Sequence, residues 1–493
     1  MGSLVAQDWR DERIGELEAE LRARNEQIAE QHARIAEQDA RIAELEQKVA
    51  ELSERLGQNS QNSHRPPSTD PPDARKRRKD KTKGKGKRKR GGQPGHQGAN
   101  RGLLPAEKVD KFVDLYPSHC ENCWKPLPEV PDSDAKRYQL TEIPPIQPHT
   151  TEWRRHTVGC PDCGHKTCAA YDEAQIPSSS FGPRLMAIMA LVTGIYHLSR
   201  RKAATLLFDL LGVQISLGAL SAVEARVSDA VGPAVEEAWD KVTGAKVKHT
   251  DGTSWVQAGA TMSLWTIAST AATVFKIVSD SAKKTLRPLY GKLRGIMVSD
   301  RAKALNFWAM ERRQICWSHL IRKYVSFSER DGPAGELGRE LLDYTGIIFE
   351  YWHEYKAGKL SRERLASWMA PVREQVEAVL QRAVAANLKG VSGSCADILV
   401  HKPALWTFLE HEGVEPTNNH GELEIRDFVL WRKRSFGTQS ERGNLFAERL
   451  MTVARTARKQ NRNVLAFLTA CCQARVEQTP APSLFDAEVN SAG

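Results

Sequence analysis

The sequence contains no run of about eighteen apolar residues, the length a membrane-crossing helix needs. The longest apolar stretch, LMAIMALVTGIYHL (185–198), is too short and runs into the basic SRRK. Residues 1–20 lack the apolar core of a secretory signal. Nine cysteines among 493 residues are too few and too unevenly spaced for a disulfide framework. These absences argue against a membrane or disulfide-stapled secreted protein and predict a soluble, cytoplasmic one. A chain this long has room for two or three domains and at least one sizeable core.

Positive charge is concentrated in one place. Residues 75–90, RKRRKDKTKGKGKRKR, carry twelve Lys or Arg against one Asp, so the net +10 of the chain leaves the remainder near −1. Such a block predicts a polyanionic partner. Arg75, Lys76, Arg77, Arg78, Lys79, Lys87, Arg88, Lys89 and Arg90 are the candidate phosphate contacts. They would bind with steep salt dependence and without base choice.

Periodicity divides the chain. Residues 1–56 read as a coiled-coil helix, with Ile14, Leu17, Leu21, Ile28, Ile35, Ile42, Leu45, Val49, Leu52 and Leu56 on a and d of one heptad frame. Arg24, Gln31 and Gln38 occupy the middle d positions. Residues 57–110 are a polar, proline-rich and basic linker, expected to stay disordered until bound. Residues 111–175 hold two cysteine pairs, and 176–240 read as a helical domain for DNA binding or packing. The runs AKVKHTD, MSLWTIAS, TVFKIVSD, GIMVSD and RRQICW (within 241–320) are short and β-rich. A helical insertion over 321–416, a second helical part of the core over 417–477 and a disordered tail over 478–493 complete the reading.

Cys120-x2-Cys123 and Cys160-x2-Cys163 form two pairs whose spacing suits four thiolates around a structural Zn²⁺. His165 and Cys168 lie close by, but the two-by-two spacing needs neither. Asp251 is expected to end the first strand of the β-rich region and Asp300 the fourth. If those strands are neighbours, both carboxylates emerge at one edge, where their repulsion needs a cation. Mg²⁺ suits hard oxygen donors. In TNNHGELEIR (417–426), Asn418, Glu422 and Arg426 recur at i, i+4 and i+8 and share a helix face, while Glu424 lies about 200° around from Glu422.

The stretches HTDGTSW, VSDRAKALN, RRQICWSHLIRKY, EPTNNHGELEIR and VLWRKRSFGTQSERG occur in this order. Together with NSQNSHRPPSTD, GGQPGHQG and the paired CxxC knuckles, they resemble bacterial insertion-sequence transposases of the TnpC type, the sixty-six family. The likeness runs from about residue 14 to 472. It implies a multidomain α+β protein: an N-terminal coiled coil, a zinc-ribbon-like module, a helical domain and a ribonuclease-H-like α/β core with a long helical insertion. It also implies an Asp-Asp-Glu triad at Asp251, Asp300 and Glu422, Mg²⁺ (or Mn²⁺) as catalytic ion and Zn²⁺ as structural ion. The activity implied is cleavage and strand transfer of element ends on double-stranded DNA, by a nucleoid-associated homo-oligomer with possible accessory proteins of the same element. His319 matches the family's histidine. Arg432, Lys433 and Arg434 lie just beyond Glu422 and are candidate backbone clamps. The family's usual NNxAERxLR is here Asn418-Asn419-His420-Gly421-Glu422-Leu423-Glu424-Ile425-Arg426. Alternatives are a nuclease or resolvase on the same core, or a transposase-derived protein that grips DNA without cutting it.

Overall fold

A computed structural model describes residues 2–63, 70, 102–170 and 179–485. The basic run 75–90 therefore lies outside the described residues, as do residues 486–493. The chain divides into two compact units, one of Met1–Lys83 with Ser318–Leu399 and one of Gly84–Trp317 with Val400–Gly493.

In the first unit a single helix, Gly2–Gly57, carries the heptad repeat. Its seam residues face outward, Leu21 being 62 % and Ile28 48 % exposed. Residues 58–63, expected to begin a disordered linker, are instead folded into turns. The Ser60 N–H and hydroxyl both donate to the Asp70 carboxylate (2.6 and 2.7 Å), and Asn62 Nδ2 donates to Glu329 Oε2 at 2.7 Å. The helices Gly332–Lys356 and Arg362–Ala385 pack together to form the body of the insertion. This unit ends at Leu399, earlier than the sequence reading of 416. Residues beyond it return to the core: Thr407 Oγ1 donates to Arg313 O and Phe408 N–H to Gln314 Oε1.

The second unit begins with the cysteine module, where β1 (Thr157–Gly159) and β2 (Lys166–Cys168) form a small antiparallel hairpin. No residue of 102–170 is buried. A helical layer follows. Ser199 and Ser216 each cap a helix by accepting a backbone N–H, starting Arg200–Leu211 and Leu217–Ala230. The second of these buries Leu220, Val223 and Val227, and its Glu224 accepts two hydrogen bonds from Arg200 (2.6 and 2.9 Å). The buried face and the paired acid fit the packing side of the reading given to this domain.

The core is a five-stranded sheet of β3 (Val247–Gln257), β4 (Ala260–Ala268), β5 (Thr273–Val278), β6 (Ile296–Ser299) and β7 (Arg313–Ile315), in the order β5-β4-β3-β6-β7. β3, β4 and β5 form an antiparallel meander, whereas β6 and β7 join parallel to β3. All four residues of β6 are buried, as a strand covered on both faces requires. Trp265, Ile267, Val274 and Met297 pack with the helical layer. Trp255, Leu264 and Phe275 face Phe428 and Trp431 of helix Asn419–Ser435.

Asp251 does not end its strand. Its partner β4 continues the pairing as far as Gln257↔Ala260, while the parallel pairing with β6 covers only Val247 to His249. The expected tail also begins later than residue 478. Leu484 is fully buried, and its N–H donates to Glu237 Oε2 at 2.8 Å.

Candidate active site

The parallel register sets the two aspartates. His249 pairs with Val298, so two residues further on Asp251 stands level with Asp300, on the same face of neighbouring strands. β7 continues the row. Ser299 pairs with Ile315, which brings Cys316 level with Asp300.

Helix Asn419–Ser435 lies over this face and is fixed to β3 at both ends. At the start, Asn418 Nδ2 donates to Thr250 O (2.8 Å), its Oδ1 meets His249 Nδ1 (3.1 Å), and its N–H donates to Cys316 Sγ (3.1 Å). At the far end, Trp431 and Phe428 meet Trp255 edge-on. From Asn418 to Trp431 the helix rises about 20 Å, and from His249 to Trp255 the strand spans about 20 Å. Asp251, about 7 Å from the first anchor, is then level with the helix position four to five residues past Asn418. That position is Glu422, whose Oε1 lies 4.0 Å from Cys316 Sγ. By register and helix rise, Asp251, Asp300 and Glu422 thus fall at a similar height along the sheet. Among the described residues they do not form a cluster with every donor within 4.8 Å of the others.

The surroundings hold the acids in place. Asp251 Oδ1 accepts the Gly252 N–H and Asp300 Oδ1 the Ala302 N–H, both at 2.9 Å. A Cβ on Gly252 would lie 2.9 Å from the Trp265 ring, which explains glycine after the aspartate. Arg313, fully buried, binds Ser299 Oγ (3.1 Å), Asn306 Oδ1 (3.0 Å) and Asp300 O (2.8 Å), fixing the loop that carries Asp300. On the opposite face the Tyr290 hydroxyl sits 2.5 Å from Thr250 Oγ1. Burial raises its pKa well above the ordinary tyrosine value, helped by the charges of Asp251 and Asp300 and opposed by the Thr250 hydrogen bond.

Glu424 has a different task. It is buried, with Lys459 Nζ 3.1 Å from Oε1 and Arg455 Nε 3.7 Å from Oε2. His420 joins the same group, its Nε2 3.0 Å from Lys459 Nζ and 3.2 Å from Ser269 O. Burial pulls the His420 and Lys459 pKa values down, with Glu424 opposing in each case.

The remaining candidates separate. Arg426, Lys433 and Arg434 are exposed. Arg432 instead turns onto β3, donating to Thr253 Oγ1 (3.1 Å) and to Ser254, so it packs the sheet rather than reaching outward. His319 is half-buried in the first turn of Trp317–Ser328 and belongs to the insertion unit. Sequence reasoning missed Arg313 and Tyr290, and took Cys316, which is buried, for core alone. The signal for Arg313 was an arginine inside the β-rich run RRQICW, whereas Tyr290 gave none.

The two cysteine pairs form near-identical turns. Cys120 N–H donates to Lys125 O and Cys160 N–H to His165 O (2.9 and 2.8 Å), while Trp124 and Gly164 N–H return to the respective cysteine carbonyls at 2.9 Å. Both returning residues have positive φ, 56° and 72°. Hydrogen bonds from the Cys123 and Asn122 backbone hold the Cys120 thiol below its ordinary pKa, and Cys163 and Asp162 do the same for Cys160. Among the described residues neither pair is joined by a third donor within 4.8 Å.

Residues 178–445, more than half of the chain, match the family model described as Transposase IS66 family. The protein is therefore a transposase by descent. It belongs to the IS66 family, as the ordered motifs predicted. Residues 8–102 match a family of unknown function (DUF6444). No curated protein matches. Membership implies DNA as the macromolecular partner and use of divalent metal. No helix among the described residues is long and apolar enough to cross a membrane.

Proposed function

We propose that the protein cuts the ends of its element and joins them to target DNA by a two-metal Asp-Asp-Glu mechanism on a ribonuclease-H-like core. The sheet order, with a three-stranded meander extended by two parallel strands, supports that core. The observation that carries the reading is the level placement of Asp251 and Asp300 on adjacent parallel strands, with Glu422 above the same row.

The donor set fits the ions. The register sets Asp251 and Asp300 at one height on neighbouring strands, an arrangement that like-charge repulsion disfavours unless cations intervene. Bound divalent ions supply a Lewis acid for the scissile phosphate and a activated oxygen nucleophile. Asp251, Asp300 and Glu422 would supply the carboxylate oxygens that hold them. Asn418 and Arg313 hold these acids at fixed heights. Exposed Lys433 and Arg434, together with the basic run 75–90, would position phosphates. Zn²⁺ held by Cys120, Cys123, Cys160 and Cys163 would give the module a centre that its exposed chain lacks. The N-terminal helix would pair subunits.

The buried His420–Glu424–Lys459 group gives His420 and Glu424 partners in the helix packing, while Leu423, in place of the family's arginine, is exposed. The test is divalent-metal-dependent cleavage of an element end. Asp251→Asn and Glu422→Gln should lower it by about 10³-fold while leaving DNA binding in place. Cleavage by either variant at the wild-type rate would overturn the mechanism. Joining of pre-cut ends separates a transposase from a nuclease.

A further inference from the structure

The exposed seam of helix Gly2–Gly57 has a direction written into its flanks. Ile14, Leu21, Ile28, Ile35, Ile42 and Val49 occupy the a positions. The g positions beside them are mostly basic (Arg13, Arg34, Arg41, Lys48, Arg55), and the e positions carry Glu18, Asp39 and Glu46. In a parallel pair each g residue meets the e residue five positions on in the other helix; in an antiparallel pair g meets g and e meets e.

We propose that two copies of the chain associate through this seam as a parallel, in-register coiled coil. Arg13, Arg34 and Arg41 then face Glu18, Asp39 and Glu46 of the partner subunit, twice over by symmetry, and no like-charged g–e contact arises. An antiparallel pair of similar overlap sets Arg34 against arginine and loses these matches. The d layers agree. In register, Gln31 and Gln38 each face their own counterpart, and two amides exchange hydrogen bonds. A slip of one heptad sets Gln38 against Leu45 of the partner subunit, and an antiparallel pairing sets amides against a-position isoleucines. Arg24 carries its charge out of the seam on its long stem.

The far end of the helix is tied to the insertion within the same unit. Arg330 pairs with Glu54, and its other nitrogen donates to Lys389 O at 2.7 Å. A parallel pair therefore holds the two insertions at the same end of the coil. The inference rests on self-association through this helix and adds its direction and register; it does not depend on catalysis.

The experiment uses the full chain with a spin label at Ala19, introduced through a non-natural amino acid so that no cysteine is touched. The parallel arrangement gives label separations of about 25 Å, two helix diameters, whereas a fully overlapped antiparallel pair gives about 45–50 Å. Arg34→Glu with Arg41→Glu should weaken association about tenfold or more, and adding Asp39→Arg with Glu46→Arg should restore it. The long separation overturns the direction and leaves pairing standing. Association unchanged by the charge reversal overturns the register, and a monomer at all concentrations overturns pairing itself.

Discussion

Lys459 holds its ammonium 3.1 Å from Glu424 Oε1, two positions beyond Glu422 on the same helix. The contact explains how two neighbouring glutamates differ. One is locked into the interior with a lysine, an arginine and a histidine, and the other reaches toward Cys316, its Oε1 4.0 Å from the sulfur.

Breaking this pair should cost more than removing it. Glu424→Gln or Lys459→Met alone leaves a buried charge without its partner and should lower stability by about 3–5 kcal/mol. Glu424→Leu combined with Lys459→Met should recover most of that loss. Urea unfolding of the four proteins measures the coupling, and additive losses would refute it.

Asn418 serves three groups from two segments, Thr250 O and His249 Nδ1 of β3 and Cys316 Sγ. Asn418→Ala leaves the first two buried without this partner and should cost about 2–4 kcal/mol. Because the same contacts set the height of Glu422, the metal concentration for half-maximal cleavage should also rise. A stable variant with unchanged metal dependence would remove Asn418 from the site.

His197 stacks on Trp431 at 4.7 Å and 18°, and burial, aided by Arg434 and opposed by Asp427, pushes its pKa down to about 4. The unfolded chain takes up that proton near pH 6.5. Its contribution to stability is therefore complete above pH 6.5 and is lost as the pH falls toward 4. His197→Asn, which tolerates the residue's φ of 57°, should lower stability overall and flatten its decline across that window. Thermal unfolding from pH 7 to 4 reads both effects.

Purified protein should carry one zinc per chain by elemental analysis. Cys120→Ser and Cys163→Ser, one from each turn, should each abolish it, and strong chelators should expose 102–170 to proteolysis. Retention of zinc after either substitution would show that the two turns do not share an ion.

The strands were legible because their apolar runs are short and bounded by turn residues. GIMVSD gave β6 and the position of Asp300 almost to the residue. The extent of β3 was not, because TDGTSWVQ looks like a turn until β4 pairs with it. Helix angle alone separates Glu422 from Glu424, and the structure buries Glu424. The reason Glu424 is acidic was not legible, since Lys459 lies 35 residues further on and meets it only through helix packing. Arg432 was misjudged as an outward clamp because a basic trio looks uniform in sequence, while a helix turns one member inward.

The insertion leaves and rejoins the core at a stitched point, where Trp317 N–H donates to Pro416 O at 2.9 Å. That geometry gives the enzyme a clock. During synthesis both aspartates leave the ribosome long before Glu422, which trails Asp251 by about 170 residues. At ordinary translation speeds the delay is on the order of 10–30 s. Throughout it the nascent sheet lacks the helix that covers Trp255 and Phe275, so a truncated product ending before Asn419 would be both inactive and sticky, a hydrophobic fragment for the cell's quality control to clear.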